Sequence, residues 1–235
     1  MTLPPALAPY RYQWPTEDLA ADSRWRPGPG PFLVRDMPES LEELAAESQW
    51  PGFFPSAMCL VTTADGRATA LEKVVGASIV NRFPYVLALS FCAADLSPRH
   101  HARQRFMETL ETGGAVAVQF LPPGSGLDRA MEAIVGTPEA HTATRLARTG
   151  LPTRSAVSNA CPVFTDAYLV YEGRLARPAR DFEGAPIYDK SWLDVGSHRL
   201  YFLEITAIQL REDIARGRTQ IRWRSLPAWL PRLRV

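Results

Sequence analysis

Lysine is the scarcest of the common charged residues in this chain. Of its 26 basic residues only Lys73 and Lys190 are not arginine, a bias that fits GC-rich coding and makes each lysine worth locating. Net charge is nearly absent as well, at +1, so bulk electrostatics gives no reason to expect nucleic acid or an anionic membrane as partner. Cysteine is sparse: Cys59, Cys92 and Cys161 are odd in number, form no CxxC, and read as buried structural thiols. No apolar run approaches the roughly 18 residues of a membrane span. The opening "MTLPPALAPYRYQWP" lacks the basic start and apolar centre of a signal peptide, so a cytoplasmic protein is expected. Histidine numbers four, and the adjacent His100 and His101 point about 100° apart on a helix. With no HExxH, no metal site is expected. There is also no G-x-S-x-G elbow and no P-loop, and the "GPG" at 28–30 opens no helix.

What is present is a chain of 235 residues, 46% of them hydrophobic, enough for a normal core. Residues 1–50 read as an extended Pro/Trp/Arg-rich arm followed by a short helix, with Ser40 and Glu43 as a capping box. Residues 51–235 read as one domain. "SAMCLVTT" (56–63) is a strand, "ADGR" a hairpin turn, and "ATALEKVVGASIV" (68–80) the return strand, with a bulge expected at Gly76. "YVLALSFC" (85–92) is a buried strand. "SPRHHARQRFMETLETGG" (97–114) is a helix whose Ala102, Phe106 and Leu110 face the core. "AVAVQFL" (115–121) is a strand, residues 127–149 hold one or two helices, and 161–177 and 196–210 are strands. A further strand is expected at 219–226. The sum is a mainly β, α+β fold: a split β-barrel of about six antiparallel strands with flanking helices.

Two features carry chemistry. His198 follows Gly196 and Ser197 at the mouth of a long apolar strand, where it serves either a site or a nearby carbonyl. Glu72 and Lys73 sit side by side on a strand and must project to opposite faces, so one of them points into a cleft or a subunit interface unless the pair is exposed on a barrel rim.

The order of these segments resembles the flavin reductase-like family, whose members fold as FMN-binding split barrels. The likeness rests on a strand ending in Val-Thr-Thr, an Asp-Gly turn, a strand, a turn ending in Pro84, and a core strand. "LETGGAVAVQF" and "GSHRLYFLEI" then stand for the family's Thr-Gly and Gly-Asp-His segments, and the resemblance spans about 54–212. It implies FMN as cofactor, NADH or NADPH as reductant, and a homodimer. It also implies His198 beside the flavin ring, and Arg103 and Arg105, with Arg99 a turn earlier, as the phosphate cradle. Arginine forks suit phosphate oxygens, although a solvated basic face would read the same way. The chain departs from the family on its second strand, where Ser78 is the clear hydroxyl left in the later half and Glu72–Lys73 replace an apolar pair. Lys73 and Ser78 are therefore the candidates for the ribityl or phosphate, and Glu72 is a candidate acid–base group. The alternative is a diverged split-barrel tailoring enzyme that uses flavin differently, haem, or no cofactor.

Overall fold

The computed structural model describes residues 25–37, 40, 59–66, 68–74, 76–81, 84–93, 98–135, 142–177, 179–180, 183–188 and 190–219. The helix expected around Ser40–Glu43, the strand at 219–226 and the aromatic C-terminal segment with Trp223, Trp229 and Leu230 lie outside the described residues.

The first described segment joins the sheet. β1 (Arg26–Pro27) pairs with β2 (Phe32–Asp36), and β2 pairs with the last strand. Phe32, Leu33 and Val34 are buried there, so this part of the Pro-rich stretch packs on the domain. β3 (Cys59–Ala64) is buried at every position, as a central strand must be. Asp65 and Gly66 turn the chain back into β4 (Thr69–Val74), with Gly66 at φ +83° and the Asp65 carboxylate accepting from the Ala68 amide at 2.7 Å. One residue further on, β5 (Gly76–Asn81) begins, and it pairs with β6 (Val86–Cys92).

α1 (Pro98–Gly113) follows, with Ala102, Phe106 and Leu110 buried as its spacing predicts. Gly114, at φ +70°, ends it by donating its amide to the Leu110 carbonyl at 2.8 Å. Gly113 lies so close to β3 that a Cβ there would sit 2.3 Å from the Ala64 carbonyl oxygen. β7 (Ala115–Phe120), α2 (Ser125–Val135) and α3 (Thr142–Arg148) come next. Then follow the short β8 (Thr153–Ser155) and β9 (Pro162–Phe164), β10 (Leu169–Leu175), the β11 (Ala179–Arg180) and β12 (Pro186–Tyr188) hairpin, and β13 (Trp192–Val195). The 14-residue β14 (His198–Arg211) and the single turn α4 (Glu212–Ala215) close the described chain.

All ladders are antiparallel. They run β6–β14–β10–β7–β3–β4, and β5, next after β4 along the chain, pairs back onto β6. The six strands of this circuit, counting β4–β5 as one interrupted strand, form the split barrel expected from sequence. The interruption has a physical signature. In β4 the residues of the inner core are Ala70 and Val74, whereas in β5 Ala77 and Ile79 pack against that core. The inward set therefore changes parity across the break, as a one-residue insertion requires. The inner core holds Val61, Leu89, Val118 and Leu203, with Phe106 and Leu110 of α1 reaching into it. A second core lies between β3, β7 and α2, built on Leu60, Ala117, Met131 and Ile134.

Candidate functional site

β5, β6, β14 and β13 lie side by side in that order, and the register aligns their outward side chains in three rows. Gly76, Ser90, Leu200 and Leu193 form one row. Ser78, Ala88 and Phe202 form the next. On the other side, Cys92, His198 and Val195 form the third. Successive rows are about 7 Å apart, two residues along a strand. The β5–β6 part of this face is low and flat. A Cβ at Gly76 would stand only 3.1 Å from the Ser90 Cβ, so glycine keeps that floor level. Val80, Leu193 and Val195 are about half exposed at its margins (51%, 53% and 51%), and Leu200 and Phe202 are half-buried. Ser78 is exposed on this floor.

His198 is exposed at the tip of the β13–β14 hairpin, whose two-residue turn needs Gly196 at φ +58°. Its Nδ1 lies 3.0 Å from the Ser197 Oγ. The histidine thus begins the long strand because it leaves a tight turn, and it stands one row beyond Ser90 on the same face.

Glu72 takes a different course. Its side chain is 1% exposed and its Oε2 lies 2.8 Å from Nη1 of Arg145, itself 2% exposed, on α3. Arg103 of α1 approaches the same oxygen at 3.7 Å and donates from Nη1 to the Cys92 carbonyl at 3.3 Å. Oε1 accepts from the Lys73 amide at 3.0 Å. This corrects the expectation of Glu72 as an acid–base group. An enclosed carboxylate held between two arginines fastens α1 and α3 to β4. Arg103 is corrected with it, because its guanidinium is already matched to a carboxylate and a carbonyl. Lys73 is half-buried opposite Leu60, on the outward side of β4. Arg105 is exposed on α1. Arg99 lies in the first turn of α1. The structure therefore brings Ser78 and His198 onto one face and turns Glu72 away from it.

Sequence reasoning missed three features. The fully buried Glu172 carboxylate accepts from the amides of Val157 (2.8 Å) and Ser158 (2.6 Å), from the Ser158 hydroxyl (2.8 Å) and from the Gln209 amide. It clamps the 156–160 loop to β10. The only sequence signal was a glutamate inside an otherwise apolar strand. The second is a cleft of about 360 Å³ where α1 meets β7, lined among others by Gly113, Asn159, Arg177, Ser191 and Thr206. The third is a knot around Arg199, which binds Asp194 at 2.7 Å and Glu111 at 3.0 Å and lies over the Trp192 ring. The Tyr201 hydroxyl donates to the same Glu111, and burial, then that hydrogen bond, raise its pKa.

The fold and this face define the class as a split barrel with an open, small-residue sheet surface. No protein-family model matches the sequence, and no match is found among curated proteins. Solved structures do resemble it. The FMN-binding protein of Thermus thermophilus is 16% identical with a TM-score of 0.46, over 71% of this chain and 79% of that one. The 2-nitrobenzoate 2-nitroreductase NbaA of Pseudomonas fluorescens is 15% identical with a TM-score of 0.46, over 72% and 70% of the two chains. The NADH:FAD oxidoreductase SgcE6 of Streptomyces globisporus is 15% identical with a TM-score of 0.45, over 65% and 74%. These likenesses are partial, and the fold assignment stands on the ladders themselves. Among the described residues no helix is long and apolar enough to cross a membrane.

Proposed function

We propose that this protein is a flavin-dependent oxidoreductase that takes electrons from NADH or NADPH and delivers them to flavin or to an onward acceptor. The observation that carries this is the flat outward floor of Gly76, Ser78, Ala88 and Ser90, with His198 one row beyond Ser90. A planar ring can lie on such a floor, the Ser78 and Ser90 hydroxyls can meet its polar edge, and the histidine can hydrogen-bond at its rim. Bound flavin supplies the hydride and electron chemistry, and the protein supplies orientation and electrostatics.

The ring surface fits FMN, and the phosphate anchor at Arg103 does not. That arginine approaches Glu72 at 3.7 Å and donates to the Cys92 carbonyl. Arg105 is exposed on α1 and is the candidate that meets the phosphate, so the discrimination between FMN and riboflavin is expected to be small. The same observation favours a second reading, in which flavin passes through as a substrate rather than remaining as a prosthetic group. The homodimer implied by the sequence resemblance belongs to this proposal, and light scattering of the purified protein tests it.

The principal experiment is an absorption titration with FMN and with riboflavin, followed by NADH or NADPH. Perturbed flavin bands that bleach with reduced nicotinamide are expected. Flavin bands that neither shift nor bleach faster than free flavin refute the proposal.

A further inference from the structure

We propose that the cleft where the end of α1 meets β7 and β10 is a binding site for a small amino acid, whose ammonium is held at Glu111 and whose carboxylate is held at Arg177. The inference does not rest on flavin binding. Of the face described above, neither Gly76, Ser78, Ala88, Ser90 nor His198 lines this cleft. Its volume of about 360 Å³ lies at the small end of the range for ligand pockets.

Much of the polar lining is already committed to holding the walls together. The Asn159 side-chain amide donates to the Val116 and Gly173 carbonyls at 3.1 and 3.2 Å, and its oxygen accepts from the Cys161 amide at 2.9 Å. The Thr206 hydroxyl donates to the Glu172 carbonyl at 3.2 Å and lies 3.0 Å from the Ser158 Oγ. Arg174 is paired with Glu204 at 2.6 Å.

Two lining groups keep capacity for a guest. The first is Glu111. Its Oε1 accepts from Arg199 Nη1 at 3.0 Å and from the Tyr201 hydroxyl. Two donors on one oxygen fix the carboxylate, and Oε2 has no hydrogen-bond partner among the described residues. Arg199 also binds Asp194 at 2.7 Å, and one guanidinium between two carboxylates leaves a net negative charge. Thr112 and Gly113 line the same cleft, at the end of a 16-residue helix. Carbonyls in that position have no intrahelical donor and carry the negative end of the helix dipole. The last turn of α1 supplies no basic side chain to offset it. An ammonium group, with three donors and a positive charge, complements this end.

The second is Arg177, exposed just past β10 and without an ion pair among the described residues. Its planar fork of N–H donors matches a carboxylate. Glu111 and Arg177 line one cleft and make no ion pair with each other, so a guest must bridge them. Gly114, Ala115, Leu175 and Ala176 add small or apolar wall that suits a short methylene chain. A singly charged guest satisfies one end only, whereas an ammonium carboxylate satisfies both.

The test is isothermal titration of the full-length protein at low ionic strength. The probes are β-alanine, γ-aminobutyrate and ε-aminocaproate, which differ in the span between their charges, with n-butylamine and butyrate as singly charged controls. At least one amino acid is expected to bind, about 10-fold more tightly than either control. Arg177→Ala, at an exposed position, and Glu111→Gln are each expected to weaken it about 10-fold. Because Glu111 also holds Arg199, Asp194→Asn is the control. It loosens the same knot at a residue that does not line the cleft, and affinity is expected to stay unchanged. Binding by none of the three, a singly charged control that binds as tightly, or an affinity untouched by Arg177→Ala overturns the proposal. An equal loss in Glu111→Gln and Asp194→Asn overturns it too, because Glu111 then acts only through the knot. No outcome involves flavin, so this proposal and the flavin reading fail separately.

Discussion

Replacing Glu72 by Gln tests the buried ion cluster most sharply. The substitution keeps the side chain's shape and removes its charge. Over the 2.8 Å that separates it from Arg145, the lost attraction is about 6 kcal/mol at an effective dielectric near 20. Desolvation of both ions offsets much of that in the intact protein. Once the carboxylate is gone, the enclosed Arg145 loses the countercharge 2.8 Å away, and that is the dominant cost. Removing one partner of a buried pair typically costs about 3–5 kcal/mol. Arg103 adds less, because its side chain is 20% exposed and water screens it. Urea denaturation followed by tryptophan fluorescence is therefore expected to show an unfolding free energy lowered by about 3 kcal/mol, as a lower midpoint with the slope unchanged. The double variant Glu72→Met/Arg145→Met, which removes both charges, is expected to recover most of that loss. A Glu72→Gln midpoint equal to wild type, or a double variant as unstable as the sum of the singles, refutes the assignment of Glu72 to a structural pair.

Further outcomes are expected. Glu72→Gln also frees Arg103, so isothermal titration is expected to show FMN gaining affinity over riboflavin, whereas Arg105→Ala is expected to erase any FMN preference. Glu172→Ala strands two loop amides and the Gln209 side chain, so destabilisation of about 3 kcal/mol is expected together with new proteolytic cleavage at 156–160, read by mass spectrometry. Gly113→Ala pushes a methyl into the β3 backbone, and a loss of about 3 kcal/mol is expected by thermal melting. Tyr85 and Tyr201 are raised in pKa by burial first, and they hold their protons more tightly folded than unfolded. The stability they confer is complete below about pH 10 and is lost progressively above it, so denaturation midpoints are expected to fall in that range.

Much of the ring was legible because its signals are local. Asp65–Gly66 demanded a turn, Ala102, Phe106 and Leu110 demanded a helix face, and Gly76 marked the break between β4 and β5 to within a residue. The destination of Glu72 was not legible. Sequence indicated that Glu72 and Lys73 must part, and its partner Arg145 lies on a helix whose position depends on the whole second core. Cys92 was misjudged because an apolar run was read as buried throughout, whereas β6 alternates and gives its even positions an outward side. β2 was hidden for another reason. Its neighbours are prolines and glycines, and the hydrogen bonds that make it a strand come from β14.

That last dependence sets the order of events during synthesis. β14 supplies ladder partners to β2, β6, β10 and β13 at once. A ribosome-bound chain ending before it carries β10, β7, β3 and β4 as a sheet with open edges, and leaves β6 joined only to β5. Ring closure and docking of the N-terminal strand must both wait until residues 198–211 have cleared the exit tunnel. The nascent protein therefore spends most of its synthesis with unpaired strand edges, and truncation anywhere inside β14 is expected to expose those edges and drive aggregation rather than yield a smaller folded domain.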